Sequence, residues 1–92
     1  MSKEVSFKNH DRFIQLGVAI SSLRKIRGMS QEKLAEKAGI SRSLLSVIGT
    51  PNIAHCFSME MFYNIADALD VSPSDLLTAS LFPDNIINKN SN

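Results

Sequence analysis

SQEKLAEKAGISRSLLSVI, residues 30–48, carries two serines that each precede a short apolar-periodic run, with one glycine between the runs. A serine at a helix start accepts a hydrogen bond from an amide two or three residues on, and a glycine past a helix end takes the left-handed conformation that closes it. Ser30 therefore predicts a helix over Gln31 to Ala38, ended by Gly39, and Ser41 predicts another reaching Ile48. Two short helices joined through Gly39-Ile40 form a helix-turn-helix pattern.

Working outward, Phe13, Leu16, Ile20 and Leu23 recur at helical spacing, and Gly28 stands where a C′ residue belongs. They predict a first helix over Asp11 to Arg27. Downstream, Gly49-Thr50-Pro51-Asn52 reads as a turn and residues 53–57 as a connector. Ser58 caps a fourth helix that buries Phe62, Ile65, Ala66 and Leu69. Ser72-Pro73-Ser74-Asp75 opens a fifth, with Pro73 at N1 and the Asp75 carboxylate in reach of the cap. Pro83 stops whatever continues past Ser80. The expected fold is all-α, with five helices and no strand. The expected divisions are an N-terminal arm over 1–10, one domain over 11–80, and a tail over 81–92.

Composition narrows the function. Ninety-two residues with 43% hydrophobic content are enough for one modest core. The opening MSKEVSFKNH has no apolar h-region and no run is long enough to cross a bilayer, so a cytoplasmic, nucleoid-associated protein is expected. One cysteine forms no intramolecular disulfide, and Cys56, in an apolar connector, reads as a small buried hydrophobe. His10 and His55 lack further ligands at metal spacing, so no metal and no cofactor is expected. No serine has a His and Asp pair, the glycines form no phosphate loop, and no small-molecule effector is evident, so an enzyme is not expected.

Net charge is +1, but its distribution is uneven. From Arg24 to Arg42 there are six basic residues against Glu32 and Glu36, a balance of +4. From Ser43 to Asn88 there is no Lys or Arg, while Glu60, Asp67, Asp70, Asp75 and Asp84 contribute −5. A basic half joined to an acidic half offers one face to a polyanion and another to something else; a merely dipolar surface has the same pattern. On a wheel of ~100° per residue, Leu44, Leu45 and Ile48 share one arc of the third helix, and Arg42, Ser43, Ser46 and Val47 the other. The second arc is the kind of face that docks in a DNA major groove, with short polar groups beside a fork-shaped donor.

LGVAISSLRKIRGMSQEKLAEKAGISRSLLSVI (16–48) resembles the Cro/C1-type (XRE) helix-turn-helix family, and SMEMFYNIADALDVSPSDLL (58–77) resembles that family's last two helices. Together they make up more than half of the chain, in matching order. The resemblance implies a compact five-helix bundle of the lambda-repressor-like type and a dimeric repressor that reads double-stranded DNA. It places Arg42, Ser43, Ser46 and Val47 at positions facing bases or their flanking phosphates, Arg42 foremost because guanidinium bridges guanine O6 and N7. It places Gln31 and Ser41 on phosphates, with Lys33, Thr50 and Asn52 as further phosphate contacts. Lys33 and Lys37 read equally well as solvated surface lysines.

Three departures from the family pattern stand out. Position 47, often basic or amide-bearing, is valine, which offers a thymine methyl only apolar contact. Position 49, usually an acid paired with the residue matched by Arg24, is glycine, so Arg24 needs another partner or lies exposed. The connector, with Thr50, Asn52 and His55, carries no fixed positive charge. Phosphate neutralisation dominates affinity, so weak binding per monomer is expected. A homodimer through residues 70–87 is expected to compensate, with Leu81, Phe82, Ile86 and Ile87 either on the core or on a second subunit. The rival reading is a protein-interaction module, antitoxin-like or regulator-binding, that keeps the fold with little DNA affinity.

Overall fold

The computed structural model describes residues 7–48, 50, 54 and 57–82. A 3-10 turn over Phe7–Asn9 leads into α1 (His10–Ile26), followed by α2 (Gln31–Ala38), α3 (Arg42–Ile48), α4 (Met59–Ala68) and α5 (Pro73–Leu81). No strand occurs among the described residues. The all-α expectation holds, and four of the five helices start where their serines predict. The exception is α1, which begins at His10, inside the stretch expected to be an arm. Asn9, at its start, makes no capping bond; its Oδ1 instead accepts from Arg12 Nη1 at 3.1 Å.

The four serine starts are alike. Ser30, Ser41, Ser58 and Ser72 each accept, on the hydroxyl oxygen, from the amide three residues on, at 3.0 Å in every case. Such a cap contributes about 1 kcal/mol. At Ser72 the reciprocal bond to the Asp75 carboxylate is not made, so half of the expected capping box is formed.

Three helix ends share one geometry as well. After α1, the Met29 amide donates to the Arg24 carbonyl and the Gly28 amide to that of Lys25, both at 3.0 Å. After α2, Ile40 donates to Ala35 and Gly39 to Glu36. After α4, Val71 donates to Ala66 and Asp70 to Asp67. This paired closure requires a left-handed residue, and Gly28 and Gly39 supply it at φ 68° and 70°. The third is Asp70 at φ 58°, the one non-glycine residue with positive φ among those described.

The core is continuous. Leu16, Ala19, Ile20 and Leu23 of α1 join Leu34, Ala35 and Ala38 of α2, Leu45 and Ile48 of α3, Phe62, Ile65 and Ala66 of α4, Leu69, and Leu76 and Ala79 of α5. All four residues expected to be buried by the fourth helix are buried. Among the described residues no helix is long and apolar enough to cross a membrane.

Gly17, buried within α1, sets the position of α3. A Cβ built there would collide with the Ile48 carbonyl oxygen and lie 3.4 Å from its carbon. Both are backbone atoms that no rotamer change can move aside.

Two stability predictions follow from these backbone conformations. Gly17→Ala, which in an open helix would gain about 1 kcal/mol from propensity, should instead lose about 1–3 kcal/mol through overpacking. Asp70→Gly, which relieves the left-handed penalty, should gain about 0.5–1 kcal/mol. Urea unfolding midpoints at unchanged slope measure both, and a stabilised Gly17→Ala protein would contradict the close approach.

Candidate nucleic-acid interface

The helical wheel of α3 is realised in three dimensions. Leu45 and Ile48 are buried and Leu44 is half-buried, while Arg42, Ser43, Ser46 and Val47 are exposed. Burying the two aliphatic residues leaves the outer face no choice of direction, because α3 is rotationally fixed by that burial. Val47 is 40% exposed, the apolar member of an otherwise polar face.

Gln31 joins this face from another helix. It is half-buried at the first position of α2 and, with Arg42, Ser43 and Ser46, lines a polar depression of about 350 Å³. The Schellman turn at Gly39-Ile40 sets the angle between α2 and α3, and so brings the α2 start beside the outer face of α3. Free amides and the helix dipole at such a start favour an anion.

The other expected phosphate contacts differ in what they can still offer. Ser41 uses an oxygen lone pair to cap the Leu44 amide, which leaves its hydroxyl hydrogen for donation. Lys33 Nζ lies 3.4 Å from Glu36 Oε1, both side chains well exposed, a pair worth little and readily exchanged. Thr50 is committed elsewhere: its hydroxyl donates to the Ser46 carbonyl at 2.7 Å and its amide to the Val47 carbonyl at 3.1 Å. A phosphate accepts only, so Thr50 has no donor left for one in this conformation; it closes the end of α3 instead. Asn52, Gly49, His55 and Cys56 lie outside the described residues.

Two basic residues of the 24–42 stretch are engaged with backbone carbonyls. Arg24 Nη1 donates to the Met29 carbonyl at 2.7 Å, which is the alternative partner its missing acid at position 49 required. Arg27 Nε donates to the Leu69 carbonyl at 2.9 Å and its Nη2 to that of Asp70 at 3.1 Å. One guanidinium thus fastens the end of α1 to the end of α4. Nothing in the sequence links Arg27 to residues 42 and 43 positions away, so counting it with the basic face was incomplete. Lys25, Lys37 and Arg42 make no ion pair among the described residues. No group of His, Cys, Asp or Glu able to hold a metal occurs among the described residues.

Residues 17–80, more than two thirds of the chain, match a family model described as a helix-turn-helix domain. No curated protein and no solved structure matches the chain.

The two arginines should separate cleanly by substitution. Arg27→Ala, which removes two bonds to helix-end carbonyls, should lower stability by about 1–2 kcal/mol. Arg42→Ala, on an exposed face, should stay within about 0.5 kcal/mol of the parent. Equal losses for the two in chemical denaturation would mean that Arg42 has a structural partner.

Proposed function

The chain belongs to the helix-turn-helix domain family, of the Cro/C1 (XRE) type, and from that premise we propose that it is a sequence-specific transcriptional regulator, a dimeric repressor that inserts α3 into the DNA major groove. The observation that carries this reading is the polar depression shared by Gln31 of α2 with Arg42, Ser43 and Ser46 of α3. It combines a group suited to the backbone with groups suited to base edges, and the proposed DNA-binding domain is residues 11–80.

Roles follow from the chemistry of each side chain. Arg42 reads a guanine through N7 and O6, Ser43 and Ser46 make degenerate polar contacts, and Val47 meets a thymine methyl. Gln31 and Ser41 hold flanking phosphates, and Lys33 contributes by exchanging Glu36 for a phosphate oxygen. Thr50 supports α3 from behind. Asn52 is kept as a proposed phosphate contact on the strength of its place in the connector alone.

Such a surface is short of cations, so one copy binds weakly. Two copies meeting through residues 70–87 read two half-sites about one helical turn apart. The exposed Leu77, Leu81 and Phe82 of α5 and its exit support that contact. Repression by occupying DNA needs no effector domain, and the protein acts in the cytoplasm at the nucleoid.

A second reading is favoured by the same shortage. With Arg24 and Arg27 bonded to backbone carbonyls and Thr50 spent on α3, an interaction module binding another regulator remains a coherent alternative.

Selection of fragmented genomic DNA on the purified protein, followed by sequencing, tests the choice. Enrichment of a palindrome with half-sites near one turn apart is expected; no recovery would transfer the reading to a protein partner. On a recovered site, Arg42→Ala should cost about 1–3 kcal/mol. Log affinity against log salt should slope less steeply than about −6 for the dimer, since each neutralised phosphate adds about −0.9.

A further inference from the structure

The outer face of α3 is made of two columns, since residues four apart share a helix face. Arg42 and Ser46 form one column, and Ser43 and Val47 the other. The polar depression takes in Gln31, Arg42, Ser43 and Ser46 and leaves Val47 outside its lining. Val47 is 40% exposed and is the apolar end of that second column.

What surrounds Val47 limits how this face can tell one pyrimidine from another. In the major groove thymine differs from cytosine twice: it carries a C5 methyl group, and it offers an acceptor at O4 where cytosine offers a donor at N4. Reading the N4 donor calls for an acceptor such as a carboxylate. Between Glu36 and Glu60 the chain has no Asp or Glu. The carbonyls nearest in the chain are engaged as well: that of Ser46 accepts from the Thr50 hydroxyl at 2.7 Å, and that of Val47 from the Thr50 amide at 3.1 Å. The Ser43 hydroxyl makes no hydrogen bond among the described residues. A hydroxyl both donates and accepts, so Ser43 suits O4 and N4 alike. The methyl group is the one difference that this column senses.

We propose that Val47 reads the C5 methyl group itself, whichever pyrimidine carries it. The protein then accepts 5-methylcytosine in place of thymine and discriminates both from unmodified cytosine. The proposal rests on the reading of α3 as the helix that enters the major groove, and it names a modified DNA that such a helix takes. Its consequence is regulatory. A half-site with thymine facing Val47 is bound whatever the methylation of the DNA, whereas one with cytosine there gains affinity once its C5 carries a methyl group. Burial of one methyl group corresponds to about a fourfold change in affinity, so this contact modulates binding that Arg42 anchors.

The test uses the full chain and short duplexes carrying a site recovered by selection on genomic DNA. Thymines are replaced one at a time by uracil, which removes only the methyl group. At one position in each half-site the parent should lose about fourfold in affinity, and Val47→Ala should be indifferent to the change. At that position 5-methylcytosine opposite guanine should bind the parent about fourfold more tightly than cytosine opposite guanine. Val47→Ala should bind those two duplexes equally. If no uracil replacement matters to the parent, or if it binds the methylated and unmethylated duplexes alike, the proposal is overturned while DNA recognition stands. A methyl preference that survives in Val47→Ala also overturns it, by giving the methyl group to another residue. Recovery of no DNA at all removes the underlying reading and the proposal together. Unchanged helical circular dichroism checks that Val47→Ala keeps the fold; if it does not, Val47→Thr, which keeps one of the two methyl groups, takes its place and should show a reduced preference.

Discussion

Helix α3 is held by a backbone-to-backbone approach that only a glycine allows. Gly17, in the body of α1, brings its bare Cα against the Ile48 carbonyl at the far end of α3. A seven-residue helix is far too short to persist alone. It exists because Ser41 caps its start, Leu45 and Ile48 bury its inner face, and Thr50 closes its end. Gly17 then fixes how deep it sits. Any side chain at that position would lift the end of α3 and tilt the face carried by Arg42, Ser43 and Ser46. A glycine inside a helix costs about 0.5–1 kcal/mol relative to alanine, and here that cost is repaid in the placement of α3 and its exposed polar face.

The rest of the frame is tied at helix ends rather than along helix faces. Three closures of one type turn the chain after α1, α2 and α4, and two of the three carry an arginine on a nearby carbonyl. Arg24 and Met29 exchange bonds in both directions, with the Met29 amide on the Arg24 carbonyl and the Arg24 guanidinium on the Met29 carbonyl. Arg27 grips the Leu69 and Asp70 carbonyls at the one left-handed residue that is not glycine. That guanidinium also faces a helix C-terminus bearing Asp67 and Asp70, where the dipole and both carboxylates are of unfavourable sign for each other. Its position there eases the end of α4 while bolting it to α1.

Local chemistry made most of this fold legible. A serine cap, an N1 proline and a C′ glycine act within four residues, so Ser30, Ser41, Ser58, Ser72, Pro73, Gly28 and Gly39 announced their helix ends directly. The two arcs of α3 were legible for the same reason, because burial of Leu45 and Ile48 dictates the exposed side. What stayed hidden was long-range or sign-ambiguous. Arg27 reads as one more surface cation until its carbonyl partners, more than forty positions on, are in place. Gly17 reads as a mild helix penalty until Ile48 arrives. Asp70 has no glycine to betray its left-handed backbone. Asn9 is of a type that caps helices well, yet its side chain turns to Arg12 and α1 starts without it.

These partnerships bear on how DNA recognition could work with so little charge. A guanidinium hydrogen-bonded to carbonyls keeps its charge but loses the freedom to fork onto a phosphate. The long-range field of the basic half therefore survives and, under the proposed reading, would steer a polyanion, while fewer close contacts would form once it arrives. Affinity must come from elsewhere. In the proposed dimer, rigid placement of α3 would limit what is lost in ordering the interface, and joining two copies would turn the second encounter into an intramolecular one. Under the proposed reading, the same arginines that fasten α1 to α4 and to the residue before the α2 cap would weaken one copy's hold on a DNA backbone and keep the α3 face rigid enough for two copies to act together.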